Sequence, residues 1–256
     1  LEYMHNVLYV ASAMRLPVVM TVANRALSAP LSIWGDHSDA MAVRDTGWIQ
    51  VFCQNSQEAF DMTLWAFRVG EDSRVLLPGM VHFDGFHLTH VTEPVILPEQ
   101  EDVDKFLPEF HYPFALDPDK PMTLGAFAPP DIYSEAKMAQ EVATRKSKAV
   151  AIQAFDEFGS IFGRHYQLVE PYEAEGAKTL LLTMGSFGET AKAVIDAKKD
   201  KGESVGLINL RLWRPFPFDE LRRAVEDAET LIVFDRCISF GGPGAAVASE
   251  IRSALY

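Results

Sequence analysis

Cysteine is scarce: Cys53 and Cys237 are the only two in 256 residues. They form no CxxC pair and no spacing suited to zinc or an iron–sulfur cluster, so both read as reduced residues in or near a core. Long apolar runs are missing too. No stretch approaches the roughly 18 residues of a membrane span, and the start carries no secretory signal, so the expectation is a cytoplasmic protein with no membrane partner. Positive charge is the minority, with 23 Lys and Arg against 36 Asp and Glu and a net charge of −13. That balance argues against a nucleic-acid partner, which needs a basic face to displace counterions. It leaves room for an acidic small molecule if a cation is held locally. Neither GxGxxG nor a Walker loop occurs, and there is no internal repeat or low-complexity tract.

What is present is a substantial apolar fraction, 48% of residues, enough for one large or two medium domains. In the first hundred residues the pattern predicts a helix over 1–14, strands over 17–23, 48–53 and 75–83, a short helix over 39–45 and a helix over 56–69. Strands separated by helices imply a parallel sheet covered by helices. From about Val95 the text turns rich in proline and acid, which favours an extended connector. A long helix follows over 134–162, with opposed charges at helical spacing. From "AKTLLLTMG" to "TLIVFDR" the alternation restarts. The fold class is therefore α/β: a first unit over 1–100, a connector with a long helix over 101–165, and a second, smaller unit over 166–256. The chain opens at Leu1 on a helical pattern and closes on another, so both ends read as cuts in a longer polypeptide.

Five stretches could carry chemistry. Arg25 follows the first strand at its carboxyl edge, where open parallel sheets collect ligands, and its guanidinium can hold a carboxylate through two hydrogen bonds. Position alone favours instead an ion pair with Asp36, Asp39 or Asp45. In "GDHSD", Asp36, His37 and Asp39 fit no metal spacing, and Asp36 or Ser38 caps the next helix on the simpler reading. "HFDGFHLTH" sets His82, Asp84, His87 and His90 around a turn at Asp84 and Gly85, and the turn alone accounts for the dipeptide. "MGSFGETAKAV" is a strand-to-helix turn that could receive phosphate on free amides, but Ser186 and Glu189 form a capping box. "RLWRPFP" places Arg211 and Arg214 about Trp213, facing a partner or pairing with the acidic surface.

The segments "NRALSAPLSIWGDHSDAMAVRDTGWIQVFCQNSQEAFDMTLWAFRV", "VHFDGFHLTH", "GLINLRLWRPFP" and "DRCISFGGPG" closely resemble, in order, the alpha subunits of the pyruvate:ferredoxin oxidoreductases and their 2-oxoacid relatives. The resemblance implies that the first part is the later portion of a pyrimidine-binding-type thiamin diphosphate domain and the last part a domain like the transketolase C-terminal domain. It implies oxidative decarboxylation of a 2-oxoacid, most readily pyruvate, to acyl-coenzyme A and carbon dioxide, with electrons passed to ferredoxin. It places Arg25 at the active site beside the substrate carboxylate, with Asn24 and Ser28 as substrate-binding neighbours and Asp84, Gly85 and Phe86 as cofactor-side wall residues. No residue is assigned to a metal. Thiamin diphosphate with Mg2+ would be shared with a partner subunit or domain, iron–sulfur clusters would sit on partner subunits of the beta, gamma and delta types, and coenzyme A would be co-substrate. The family's glutamate facing the aminopyrimidine, its GDG-to-Asn motif and its ferredoxin-like cysteine run are not in this sequence. The chain is thus expected to be inactive alone. The rival readings are a noncatalytic assembly module and a thiamin diphosphate enzyme that does not use ferredoxin.

Overall fold

The computed structural model describes residues 1–256 throughout. The first unit runs α1 (His5–Ala13), β1 (Val19–Asn24), α2 (Ser38–Ala42), β2 (Ile49–Phe52), α3 (Ser56–Gly70) and β3 (Gly79–Asp84). Then come α4 (Gln100–Phe106) and α5 (Pro130–Phe162). The second unit holds β4 (Val169–Tyr172), β5 (Thr179–Thr183), α6 (Phe187–Lys199), β6 (Val205–Leu210), β7 (Leu212–Arg214), α7 (Phe218–Val225), β8 (Thr230–Val233) and α8 (Ala246–Leu255).

There are two four-stranded sheets, ordered β1-β3-β2-β7 and β4-β6-β5-β8. Parallel pairing holds among β1, β3 and β2 and among β6, β5 and β8. Each sheet also takes one antiparallel edge strand, β7 on β2 and β4 on β6, so both are mixed. β6 and β7 are separated by Arg211 alone, yet belong to different sheets. The chain thereby stitches the second unit into the first. The cores reflect this: one gathers Val51, Trp65, Val81 and Phe155 between the first sheet, α3 and α5, while the other joins Ala40, Met41 and Phe52 to Leu180, Ile208, Trp213 and Ile251.

Local chemistry sets the element ends. Asn55 caps α3 by accepting the Glu58 N–H at 2.9 Å. α5 starts four residues before the predicted Ser134, because Pro130 at its first turn has φ already fixed for a helix. It stops at Gly163, whose φ of 73° lies in the left-handed region. The extended connector predicted after Val95 contains α4. Glu101 and Asp102 in its first turn and Lys105 in its last suit the helix dipole, and Phe106 is fully buried with its ring 5.2 Å from that of Phe158. β3 begins four residues later than the pattern suggested: Leu76 takes a φ of 46°, so the apolar stretch before Gly79 is buried without being strand.

Candidate active site at the seam of the two sheets

The carboxyl ends of β1 and β3 meet the start of α6 and the exit of β8. Four segments converge there: the loop 25–37, the turn after Asp84, the turn before α6, and Arg236.

The loop 25–37 is tied at both limbs. Asn24, the last residue of β1, is fully buried and donates from Nδ2 to Asp39 Oδ1 at 2.8 Å. Asp39 Oδ2 accepts the Arg25 backbone N–H at 3.1 Å. Ala26 N–H reaches the Trp34 carbonyl at 3.2 Å and Leu27 N–H reaches Ser38 Oγ at 3.3 Å. Burial pushes the Asp39 carboxyl up to about 6, against the opposing pull of the bonds from Asn24, Arg25 and Ala40. Above these ties the loop is exposed, with Ser28, Leu31, Ile33 and Trp34 facing solvent.

Arg25 itself is exposed, and its guanidinium has no hydrogen bond and no carboxylate within salt-bridge distance. The pairing that position favoured does not form. Asp39 takes the Arg25 main chain instead, Asp36 accepts the N–H and hydroxyl of Ser38 at the start of α2, and Asp45 lies with Arg44 and Arg214. An arginine left open in a chain with so many carboxylates is available to a ligand.

Asp84, 1% exposed, is the hub beneath the loop. Its Oδ1 accepts from Arg236 Nη1 at 2.6 Å and from His37 Nε2 at 3.2 Å. Its Oδ2 accepts the Ser186 N–H at 2.7 Å and the Ser186 hydroxyl at 2.6 Å. Burial opposes the charge, but His37, Arg236 and Ser186 outweigh it and hold the carboxyl below the usual carboxylate range. The turn before α6 does bind an anion, and that anion is Asp84. The capping box expected of Ser186 and Glu189 is absent: the Ser186 side chain caps nothing in its own helix because Asp84 draws it away. Glu189 accepts instead from Asn55 at 3.1 Å.

The turn reading of Asp84 and Gly85 holds. Gly85 N–H donates to the Asn24 carbonyl at 2.8 Å, and a Cβ there would lie 2.5 Å from that oxygen, so only glycine lets β1 and β3 end so close together. Phe86 follows with a φ of 65°; its ring is 5.0 Å from Trp34 and 4.7 Å from His90. These three rings make the outer wall. The histidines diverge: His82 is fully buried, stacks on Phe52 at 4.5 Å and is lowered to about 3 by burial, whereas His87 turns its edge to Phe187. Asn24 and Asp84, expected beside substrate and cofactor, are buried, with their side chains bonded to Asp39 and to His37, Ser186 and Arg236 respectively. Arg25, Ser28 and Phe86 lie on the open side of the wall. The two arginines of "RLWRPFP" pair within the chain, Arg211 fully buried with Glu58 and Glu170, Arg214 with Glu250 and Asp45. Both cysteines are free and buried.

Sequence reasoning assigned no role to Arg236. It stands in "DRCISFGGPG", but no local pattern shows that a residue over 150 positions away from Asp84 completes the hub.

Comparison with known proteins places this arrangement. Residues 1–161 match the family model described as pyruvate flavodoxin/ferredoxin oxidoreductase, thiamine diphosphate-binding, and residues 177–256 match that of pyruvate:ferredoxin oxidoreductase core domain II. Pyruvate synthase subunit PorA of Methanothermobacter thermautotrophicus is 49% identical over all of this chain and 66% of its own length. The PorA subunit of Thermotoga maritima is 43% identical, and ketoisovalerate oxidoreductase subunit VorA of Pyrococcus horikoshii 38%, each over 100% of this chain and 65% of the relative. The chain thus spans just under two thirds of the length of these relatives. A solved 2-oxoglutarate:ferredoxin oxidoreductase from Magnetococcus marinus, bound to 2-oxoglutarate, coenzyme A and succinyl-CoA, shares the fold at a TM-score of 0.64 and 15% identity, over 98% of this chain and 46% of that one. With one family model covering the first 161 residues and a second covering the last 80, the chain belongs to the pyruvate flavodoxin/ferredoxin oxidoreductase family, as its thiamine diphosphate-binding domain followed by core domain II.

Proposed function

We propose that this chain is the larger part of the alpha subunit of a 2-oxoacid:ferredoxin oxidoreductase, acting in a complex of several subunits to convert pyruvate and coenzyme A into acetyl-coenzyme A and carbon dioxide while reducing ferredoxin. The observation that carries this reading is the unpaired guanidinium of Arg25 at the carboxyl edge of the first sheet. A 2-oxoacid is an anion whose carboxylate needs a partner once it leaves water. Pyruvate is favoured among 2-oxoacids because the pyruvate synthase subunits are more alike to this chain than the ketoisovalerate one.

These residues do not fit the diphosphate end of the cofactor or its Mg2+. The glycine-bearing turn before α6 that could cradle a phosphate is filled by the Asp84 carboxylate, and no three His, Cys, Asp or Glu side chains gather as a metal would require. That seat is assigned to a partner subunit or domain, with the iron–sulfur clusters. The contribution of this chain is to bind and orient: Arg25 holds the substrate carboxylate, while Trp34, Phe86 and His90 pack into a wall beside the loop that carries it.

The test is reduction of a viologen dye by the oxygen-protected native complex, offered each of several 2-oxoacids with and without coenzyme A. Activity with pyruvate that requires coenzyme A is expected. No activity with any 2-oxoacid, in a complex that retains thiamin diphosphate and its clusters, would favour a noncatalytic assembly role. Activity without iron–sulfur absorbance would indicate a thiamin diphosphate enzyme that bypasses ferredoxin.

A further inference from the structure

Arg236 makes more contacts than neutralising Asp84 requires. Nη1 donates to Asp84 Oδ1 at 2.6 Å, and Nη2 donates to the Gly35 carbonyl at 3.0 Å. The Arg236 carbonyl accepts the His37 N–H at 3.0 Å, and the guanidinium lies 3.9 Å from the centre of the Phe187 ring. Two of these contacts address the backbone of the loop that carries Arg25. Gly35 has no room to yield there, since a Cβ would sit 3.0 Å from Arg236 Nη2, 2.9 Å from His87 and 3.0 Å from the Gly85 carbonyl.

The link from there to Arg25 is short. Residues 35–37 run directly into Ser38 and Asp39, and Asp39 holds the Arg25 main chain at 3.1 Å. Shifting residues 35–37 therefore shifts the acceptor that sets the base of Arg25. We propose that Arg236 is a positioning residue of the 2-oxoacid site, fixing from the second α/β unit the loop that presents Arg25. This rests on the assignment of the substrate carboxylate to Arg25. The second sheet is then part of the active site without touching the substrate.

The experiment uses the complete complex carrying Arg25→Ala, Arg236→Ala, Arg236→Lys or both alanines, with pyruvate- and coenzyme A-dependent viologen reduction and amide hydrogen exchange as readouts. Arg236→Ala is expected to raise the KM for pyruvate about tenfold or more and to leave kcat and the KM for coenzyme A within about twofold, the pattern of lost substrate binding. Amides of Ala26, Leu27 and His37 should exchange faster. The double variant should be no worse than Arg25→Ala, because both act through one contact. Lysine at 236 keeps a charge for Asp84 but lacks the second arm of the fork, so it should recover only part of the loss. If Arg236→Ala impairs assembly, Gly35→Ala crowds the same contact from the loop side and should raise the same KM. A raised KM in Arg25→Ala with a normal one in both Arg236→Ala and Gly35→Ala would overturn the positioning role. Additive effects in the double variant would overturn it too. A normal KM in Arg25→Ala would instead bring down the carboxylate assignment, and this inference with it.

Discussion

Asp84 keeps a full negative charge at a place almost without water because four donors from three segments converge on it. Removing the carboxylate leaves Arg236 buried without its counter-charge, and Asp84→Ala should cost on the order of 3 kcal/mol, read as destabilisation of the complex in denaturant. Its depressed pKa also has a pH signature. The stabilisation is fully present above the unfolded value of about 3.9 and is lost as pH falls toward the folded value, so Asp84→Asn should flatten the acid limb of a stability profile below about pH 4. Asp39 acts in the opposite sense. Its carboxyl is raised to about 6, so the folded state binds the extra proton and stability declines as pH rises from about 4 to about 6. Hydrogen exchange of the β1 amides across that range checks this, and the decline should vanish in Asp39→Asn. Arg25 was legible in the sequence as a cation at a strand end. Its freedom was not, because which carboxylates are already engaged is decided by packing among residues up to about 200 positions apart in sequence.

At the scale of elements, most of the alternation could be read because apolar periodicity survives whatever packs on it. The misplacements have local causes. α4 hides in acid-rich, proline-flanked text and is anchored by the single residue Phe106. The cap expected at α6 fails because a carboxylate from another element competes for the Ser186 hydroxyl and wins. Ser186→Ala should accordingly weaken the join between the sheets by about 1 kcal/mol, the net worth of one hydrogen bond, and show up as faster exchange around Asp84. Asn55→Ala removes the α3 cap together with the bond to Glu189 of α6 and should cost a similar amount, with exchange quickening in the first turn of α3.

Over the whole molecule, the step from β6 to β7 decides the architecture. Arg211, fully buried where the strand changes sheets, pairs with Glu58 of α3 and Glu170 of β4, so the crossing is fixed by charge as well as by pairing. Burial disfavours the charged guanidinium, but the two carboxylates more than offset that and raise its pKa. Nothing in "RLWRPFP" distinguishes this from a surface pair, since the partners lie some 40 and 150 residues upstream. The crossing holds the carboxyl ends of both sheets together, and the Arg25 loop lies where they meet. The central claim is that this loop offers its one open cation to a 2-oxoacid carboxylate. It is tested most directly by the KM for pyruvate of the intact complex carrying Arg25→Ala, assayed by coenzyme A-dependent viologen reduction. The account predicts a loss of about 2 kcal/mol or more in kcat/KM, carried by KM for pyruvate, with the KM for coenzyme A unchanged. An unchanged KM for pyruvate in that variant would contradict it.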